Sequence, residues 1–176
     1  MHLPWRGLPP AEGAQPVSTS LTVNEAAALA DLATGRDVLE VGSAFGFSAC
    51  VMALAGARHV TAVDPHTWLA SHGAMLAHLD ENGVTGLVTV VRGTSPGALD
   101  GLGPFGLVFI DGDHAAEAVT ADVEAARKVL ASGGVLACHD LGEDCCCPGV
   151  RQALGALFPA GPSEQVDTLA IYREVA

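Results

Sequence analysis

Five short apolar runs alternate with segments of helical periodicity, and this alternation constrains the chain more than any other feature of its sequence. The runs are Val38–Val41, His59–Val63, Leu87–Val91, Leu107–Ile110 and Val135–Cys138. Continuous apolar runs of this length are typical of strands that are buried on both faces of a parallel sheet. Because neighbouring parallel strands need a crossover helix, the pattern predicts a single-domain α/β fold: a Rossmann-like, doubly wound, mostly parallel sheet with helices on both faces.

The segments before and after this alternation have patterns of their own. Residues 1–20 contain four prolines and predict an irregular, Pro-rich N-terminal arm ahead of a domain that spans residues 21–176. A helix is expected to begin after Thr22, whose hydroxyl can form a capping box with Glu25. Residues 168–173 alternate between apolar and polar side chains, which predicts a final strand paired in a hairpin with a shorter one.

The charge balance of the chain excludes several classes of partner. Its 8 basic and 20 acidic side chains leave a formal net charge of −12, which would repel nucleic acid and anionic membranes. Hydrophobic residues make up 49% of the chain, yet no apolar stretch reaches the roughly 20 residues of a membrane span. The first residues also lack the apolar core of a signal peptide. We therefore expect a soluble cytoplasmic protein that acts on small molecules, with no nucleic acid and no membrane as partner.

The cysteines provide no regular disulfide framework, because they number five and three of them, Cys145, Cys146 and Cys147, are consecutive. Adjacent cysteines rarely form a disulfide without strain, so reduced thiols are expected. The three thiols could join a soft-metal site, but no second cysteine pair stands at zinc spacing. They could also be reactive or shape an apolar pocket near the ligand, and of these roles the sequence favours packing.

Two segments at strand ends indicate a bound adenosine group. Ligands of doubly wound sheets bind at the carboxyl ends of the strands, where this chain carries Glu40–Gly46 after the first run and Asp64 after the second. Glycines let the backbone approach a ligand closely, and a carboxylate at Asp64 can accept both hydroxyls of a ribose. A turn or a helix cap is the alternative role for Asp64. The spacing Glu-x-Gly-x-x-x-Gly departs from the dinucleotide fingerprint, which disfavours a dehydrogenase.

Two further motifs make a resemblance to a known family specific. Phe109–His114 ends the fourth strand, and Gly133–Asp140 follows after a helical segment. Together with Glu40–Gly46 they resemble the motifs of class I S-adenosylmethionine-dependent methyltransferases, in particular the small natural-product branch with macrocin- and mycinamicin-type O-methyltransferases. The resemblance covers nearly everything from residue 38 to residue 173, and it implies S-adenosylmethionine (SAM) as the cofactor.

The resemblance also implies which residues bind SAM. The Gly-rich segment would hold the methionine part, Asp64 the ribose with His66 near it, and the turn after the third strand the adenine. Asp111, at the end of the fourth strand, would lie beside the sulfonium and the acceptor. The full set is Glu40, Gly42, Ser43, Ala44, Gly46, Asp64, His66, Gly93, Thr94, Ser95 and Asp111.

Metal-dependent relatives bind Mg²⁺ through the fourth-strand aspartate and two residues after the fifth strand. Those positions are Asp111, His139 and Asp140 in this chain. An imidazole among the ligands suits Mn²⁺, Fe²⁺ or Zn²⁺ better than Mg²⁺, so the presence and the identity of a divalent metal are both left open. His114 has the spacing at which several relatives carry their catalytic base, and a helix cap formed by Asp113 and His114 is the alternative.

The reaction implied by the resemblance is transfer of a methyl group from SAM to a hydroxyl of a small secondary metabolite, with His114 and Asp111 as the catalytic residues. The alternatives are a metal-free N-, S- or C-methyltransferase and a non-catalytic SAM-binding partner subunit. At 176 residues the chain leaves no room for a cap domain over the acceptor. Either the N-terminal arm or a neighbouring subunit must supply that wall, and we therefore expect a homo-oligomer.

Overall fold

The computed structural model describes residues 21–143 and 146–173, and the arm predicted for residues 1–20 lies outside the described part. Helices alternate with strands along the chain. The helices are α1 (Val23–Ala33), α2 (Phe47–Leu54), α3 (Ser71–Glu81), α4 (Ala116–Val129) and α5 (Pro148–Leu157). The strands are β1 (Asp37–Val41), β2 (His59–Asp64), β3 (Val88–Arg92), β4 (Phe105–Ile110), β5 (Leu130–Cys138), β6 (Glu164–Val166) and β7 (Leu169–Arg173).

The strands form one seven-stranded sheet with the order β3-β2-β1-β4-β5-β7-β6. Strands β1 to β5 pair in parallel, whereas β7 runs antiparallel to β5 and forms a hairpin with β6. The predicted fold class, a Rossmann-like and mostly parallel sheet in a single domain, is confirmed. The strand order reverses between β1 and β4, which opens a crevice at their carboxyl ends, where ligands bind in sheets of this type.

Alternate side chains of the central strands pack against helices on opposite faces of the sheet. In β4, Leu107 and Phe109 pack with residues of α1, α2 and α3, whereas Val108 and Ile110 pack with residues of α4 and α5. All four side chains are buried. Because helices cover both faces, each central strand is a continuous apolar run and not an alternation of apolar and polar residues.

The start of α1 follows the predicted capping box. The Thr22 hydroxyl accepts a hydrogen bond from the Glu25 amide, and the Glu25 carboxylate accepts one from the Thr22 amide. These bonds satisfy two amides that the first helical turn would otherwise leave unpaired. The Glu25 side chain is also fully buried, because it extends toward His139 at the carboxyl end of β5.

One strand boundary differs from its prediction by more than two residues. β5 begins at Leu130 and not at Val135, and its pairing register with β4 shifts between Phe105 and Leu107. Of the added residues, 130–134, only Leu130 pairs with β4, and most are half-buried or exposed, so they carry no apolar pattern. Within the described residues, no helix has both the length and the apolar character needed to cross a membrane.

Candidate functional site

Two adjoining cavities open at the carboxyl edge of the sheet, at the crevice between β1 and β4. The first has a volume of about 410 Å³, and its lining includes seven of the residues expected to bind SAM: Gly42, Ala44, Asp64, Gly93, Thr94, Ser95 and Asp111. The second, of about 400 Å³, shares Gly42, Ala44 and Asp111 with the first and adds Ser43 and His114. The structure thus brings together residues from the ends of four strands.

The backbone at Gly42 lies too close to the end of β4 to carry a side chain. A Cβ placed on Gly42 would lie 2.1 Å from the carbonyl oxygen of Asp111, and the residue has a φ of +90°. Both conditions require glycine. This close approach places Asp111 beside the Gly-rich loop, on the wall that the two cavities share.

The carboxylate of Asp64 holds the Gly-rich loop in place. Its Oδ2 accepts a hydrogen bond of 2.9 Å from the Ala44 amide, and its Oδ1 accepts one of 2.5 Å from the His66 amide. The turn role considered for Asp64 is therefore present in the structure. A ligand role is compatible with it, because each carboxylate oxygen has a further lone pair and Asp64 also lines the first cavity.

Glu40 lies behind the Gly-rich loop and lines neither cavity. Its side chain is fully buried; Oε1 accepts a hydrogen bond from the Ser48 hydroxyl, whereas Oε2 has no hydrogen-bond partner among the described residues. Burial raises the pKa of Glu40 to about 8. Because a protonated carboxyl avoids the cost of a buried charge, the position of Glu40 favours a structural role behind the loop.

Gly46 and His66, two of the residues expected to bind SAM, support the cavities from outside and line neither. A Cβ on Gly46 would lie 2.8 Å from the Met75 side chain. His66 is buried with its Nδ1 3.3 Å from the Ser71 hydroxyl, and burial lowers the pKa of His66. The geometry therefore supports a packing role for these two residues and a direct ligand role for those that line the cavities.

A buried histidine surrounded by carboxylates lies at the end of β5. Nδ1 of His139 is 3.3 Å from Asp111 Oδ1 and 3.4 Å from Asp140 Oδ1, and Nε2 is 3.3 Å from Glu25 Oε2. Burial lowers the pKa of His139, but the adjacent carboxylates of Asp111 and Asp140 outweigh burial and raise the pKa to about 11. The three carboxylates around His139 therefore favour the charged form of its imidazole.

Asp111, His139 and Asp140 also form a donor set for a divalent cation. One ligand atom from each residue lies within 4.8 Å of the other two. Although Nδ1 of His139 is close to both aspartates, it has no aligned hydrogen-bond partner among the described residues, while Nε2 faces Glu25 and Thr168. Metal-binding histidines commonly have this arrangement, with one ring nitrogen toward the metal and the other toward a carboxylate.

His114 lies at the rim of the second cavity, on the turn before α4. Its Nε2 is 3.1 Å from Asp140 Oδ2 and 3.8 Å from Asp111 Oδ1, and its side chain is 44% exposed. Contact with Asp111 and the charge of Asp140 raise the pKa of His114. Asp113 supports the start of α4 instead, because its Oδ1 accepts a hydrogen bond of 2.9 Å from the Ala115 amide. The cap interpretation thus applies to Asp113, while His114 faces the site.

Three residues at the site were not identified from the sequence. Trp68 lines both cavities with its ring 5.9 Å from that of Phe45. Asp122 of α4 lines the first cavity, and burial raises its pKa. Its position as a lone acidic residue on an apolar helix face was the sequence feature that could have identified it. Glu25 contacts His139 although 114 positions separate them (139 − 25), and the sequence contains no sign of that contact.

Comparison with known proteins identifies a family and a set of structures with the same fold. Residues 39–141 match a family model described as a methyltransferase domain. Similar solved structures include cofactor-bound Rv0187 from MTB (24% identity, 86% of this chain and 80% of that chain, TM-score 0.72). The O-methyltransferase from Bacillus cereus in complex with SAH has 19% identity, the same two coverages and a TM-score of 0.69. The O-methyltransferase TomG from Streptomyces achromogenes, involved in tomaymycin synthesis and in complex with SAM, has 21% identity, again with 86% and 80% coverage, and a TM-score of 0.67.

No curated protein matches the chain. At identities below one quarter, the structural likeness establishes the fold alone. The match to the family model establishes more than the fold, because it covers more than half of the 176 residues. It includes the Gly-rich loop, Asp64, Asp111 and the pair His139 and Asp140. The chain therefore belongs to the methyltransferase domain family.

Proposed function

We propose that this chain is a SAM-dependent methyltransferase that methylates a hydroxyl of a small secondary metabolite, in the branch of the macrocin- and mycinamicin-type O-methyltransferases. The observation that carries the proposal is the pair of adjoining cavities at which the Gly-rich loop, Asp64 and Asp111 meet. Two of the similar structures support it, since they are O-methyltransferases, one in complex with SAH and the other with SAM.

The residues around the first cavity fit the parts of SAM. Asp64 would accept hydrogen bonds from the ribose, residues 93–95 would face the adenine, and Gly42 would bring the backbone close to the methionine part. Glu40 is fully buried and lines neither cavity, so it would support the Gly-rich loop from behind and not contact the methionine part directly. When bound, SAM supplies a methyl group on a reactive sulfonium, so the protein contributes mainly binding and orientation.

His114 is placed to accept the proton of the acceptor hydroxyl. An alcohol is a poor nucleophile until its proton leaves, and the half-exposed imidazole of His114 lies at the rim of the second cavity. Its Nε2 would take the proton, and Asp140, 3.1 Å away, would stabilise the imidazolium that forms. Asp111, on the wall between the cavities, would orient the acceptor oxygen toward the methyl group.

A divalent cation fits the donor set of Asp111, His139 and Asp140. Two carboxylate oxygens and an imidazole nitrogen favour Mn²⁺, Fe²⁺ or Zn²⁺ over Mg²⁺. A cation bound there would lower the pKa of a hydroxyl held beside Asp111. Glu25 would keep the ring of His139 oriented with Nδ1 toward the cation.

The acceptor side requires a wall beyond the described residues. Leu21, the first described residue, lines the second cavity. We propose that the predicted arm of residues 1–20, or a neighbouring subunit of a homo-oligomer, closes the acceptor site. The net charge of −12 supports small molecules, and not nucleic acids or membranes, as the partners of a cytoplasmic protein.

Binding and turnover test this proposal in separate steps. Isothermal titration calorimetry with S-adenosylhomocysteine measures cofactor binding. Incubation of hydroxylated metabolites with methyl-labelled SAM, followed by mass spectrometry of the product, then locates the methyl group. We expect binding and transfer to oxygen. Transfer to nitrogen, sulfur or carbon that survives chelation would favour the metal-free alternative, binding without transfer would favour a partner subunit, and absence of binding would refute SAM dependence.

A further inference from the structure

A second group of metal-binding side chains lies next to the first and shares one residue with it. Nε2 of His114, an oxygen of Asp140 and Sγ of Cys147 lie within 4.8 Å of one another. Asp140 Oδ2 is 3.1 Å from His114 Nε2 and 3.5 Å from Cys147 Sγ. The inner group, Asp111, His139 and Asp140, contains no sulfur, whereas this outer group combines a thiol, an imidazole and a carboxylate.

We propose that His114, Asp140 and Cys147 form a separate binding site for a zinc-like cation. Thiolate and imidazole ligands select zinc and similar borderline or soft ions and disfavour Mg²⁺ and Ca²⁺. Three protein ligands leave a fourth position open, as in zinc sites that exchange a bound water for another molecule. Of the three ligands, His114 also lines the second cavity.

The distances between the ligand atoms match those of a tetrahedral zinc site. Zinc bonds of about 2.3 Å to sulfur and about 2.1 Å to oxygen and nitrogen place neighbouring ligand atoms about 3.4–3.6 Å apart. Two of the three separations, 3.1 Å from the nitrogen of His114 to Asp140 Oδ2 and 3.5 Å from the sulfur of Cys147 to the same oxygen, are close to these values. The third pair, His114 and Cys147, lies within 4.8 Å, so the two side chains need only converge on a common cation.

The fold fixes the relative position of the two loops that carry the ligands. A Cβ on Gly149, in the first turn of α5, would lie 2.4 Å from the carbonyl oxygen of His114 and 2.7 Å from the amide nitrogen of Ala116. The start of α5 thus packs directly against the turn before α4. Cys147 immediately precedes α5 and is buried, so its thiol is held beside Asp140.

Asp140 connects the outer site to the inner one. Its Oδ1 faces His139, 3.4 Å away, whereas its Oδ2 faces His114 and Cys147. A carboxylate with its two oxygens toward two ligand groups is the usual bridge between paired metal positions. Each position can nevertheless be removed alone, because Asp111 belongs only to the inner group and Cys147 only to the outer one.

A cation bound in the outer site would inhibit methyl transfer. This consequence rests on the proposed function. The lone pair of His114 Nε2 cannot bind a cation and accept the proton of a hydroxyl at the same time. Zinc should therefore inhibit turnover through His114, whereas a cation in the inner site should assist it. Loss of the Cys147 thiol should relieve the zinc inhibition without removing the imidazole.

Cobalt binding to the full chain, kept reduced with a phosphine, tests the site without an activity assay. Co²⁺ bound to a thiolate gives a charge-transfer absorption band, and Zn²⁺ should displace Co²⁺ and abolish the band. We expect the band in the wild type, its loss in Cys147→Ser, and a Zn²⁺ affinity at least about 100-fold weaker in that variant. Asp111→Asn, which removes a ligand of the inner group alone, should keep the band.

Two controls separate this site from the neighbouring thiols and from misfolding. The double variant Cys145→Ser/Cys146→Ser should keep the band, although Cys146 Sγ lies 3.5 Å from Cys147 Sγ. His114→Gln changes a half-exposed side chain and should weaken Zn²⁺ binding with an unchanged circular dichroism spectrum. A wild type without the band, or a band that follows Cys145 and Cys146 instead of Cys147, would overturn the proposal. Failure of SAM binding would leave all these metal readouts unchanged, and so would refute only the proposed function.

Discussion

Replacement of Glu40 by glutamine should remove a large pH dependence from the stability of the protein. Glu40 is fully buried, with Ser48 as a hydrogen-bond donor to one oxygen and no partner for the other. Burial raises its pKa from 4.5 to about 8, so the folded protein keeps this carboxyl protonated at pH 7 while the unfolded chain ionises it. Glutamine has nearly the same size and cannot ionise.

The sign and the size of the effect follow from proton linkage. Between pH 4.5 and pH 8 the folded state binds the proton and the unfolded state does not, so the free energy of unfolding falls as the pH rises through this window. One pKa unit corresponds to about 1.4 kcal/mol, and for these two pKa values the loss between pH 5 and pH 8 is about 3–4 kcal/mol. The Glu40→Gln variant should lose this pH-dependent part of the free energy of unfolding. Its stability should therefore approach or exceed that of the wild type at pH 8.

Urea unfolding of the variant and the wild type at pH 5, 6, 7 and 8 gives the free energy of unfolding of each protein. The effect is the way in which the difference between these two free energies changes with pH. Contributions from all other titrating groups are common to both proteins and cancel in this difference. Glu81→Gln, at an exposed glutamate, is the matched control and should keep the wild-type pH dependence. If Glu40→Gln and the wild type lose stability in parallel between pH 5 and pH 8, Glu40 does not carry the proton and the reasoning is wrong.

Three further substitutions test other parts of the site. Asp64→Ala should weaken S-adenosylhomocysteine binding at least about 100-fold, since two charge-assisted hydrogen bonds to the ribose are worth about 1.5–3 kcal/mol each; unchanged calorimetric affinity in the folded variant would place the ribose elsewhere. Glu25→Gln should destabilise the protein by about 3 kcal/mol in urea unfolding, because it breaks a buried ion pair, whereas Thr22→Ala, which removes the cap and the exposed hydrogen bond of the hydroxyl to Asp167, should cost about 1 kcal/mol. His114→Ala should lower kcat by a factor of about 10²–10⁴ with little change in cofactor affinity. A variant with a lower Tm but an unchanged kcat would show that His114 is not the base.

The central sheet could be predicted because each strand carries its own signal. Strands covered on both faces are apolar at most positions, and such runs end where polar, Gly-rich segments begin, so both the strands and the site at their carboxyl ends follow from local sequence. The start of β5 could not be predicted in this way. Residues 130–134 join β5 across a register shift, with only Leu130 paired to β4, and they bury few side chains, which leaves no apolar pattern to detect.

The sequence predicted which residues belong to the site better than it predicted the contacts between them. The sequence places Asp64 and Asp111 at strand ends, but the backbone hydrogen bonds that Asp64 accepts from Ala44 and His66 depend on the path of two loops. Cys147 could be assigned a packing role from its chemistry, yet its distance to Asp140 depends on how α5 packs against the turn before α4. Such contacts are set by tertiary packing, which local periodicity does not encode.

The side chain of Glu25 connects three segments that are distant in the sequence. Its carboxylate accepts hydrogen bonds from the Thr22 amide at the start of α1 and from both the amide and the hydroxyl of Thr168 in the β6–β7 hairpin, and it contacts Nε2 of His139. Since a buried carboxylate needs all these donors, α1, the hairpin and the end of β5 are held in one relative arrangement. The orientation of His139 toward Asp111 therefore depends on the C-terminal hairpin, although no residue of that hairpin lines either cavity.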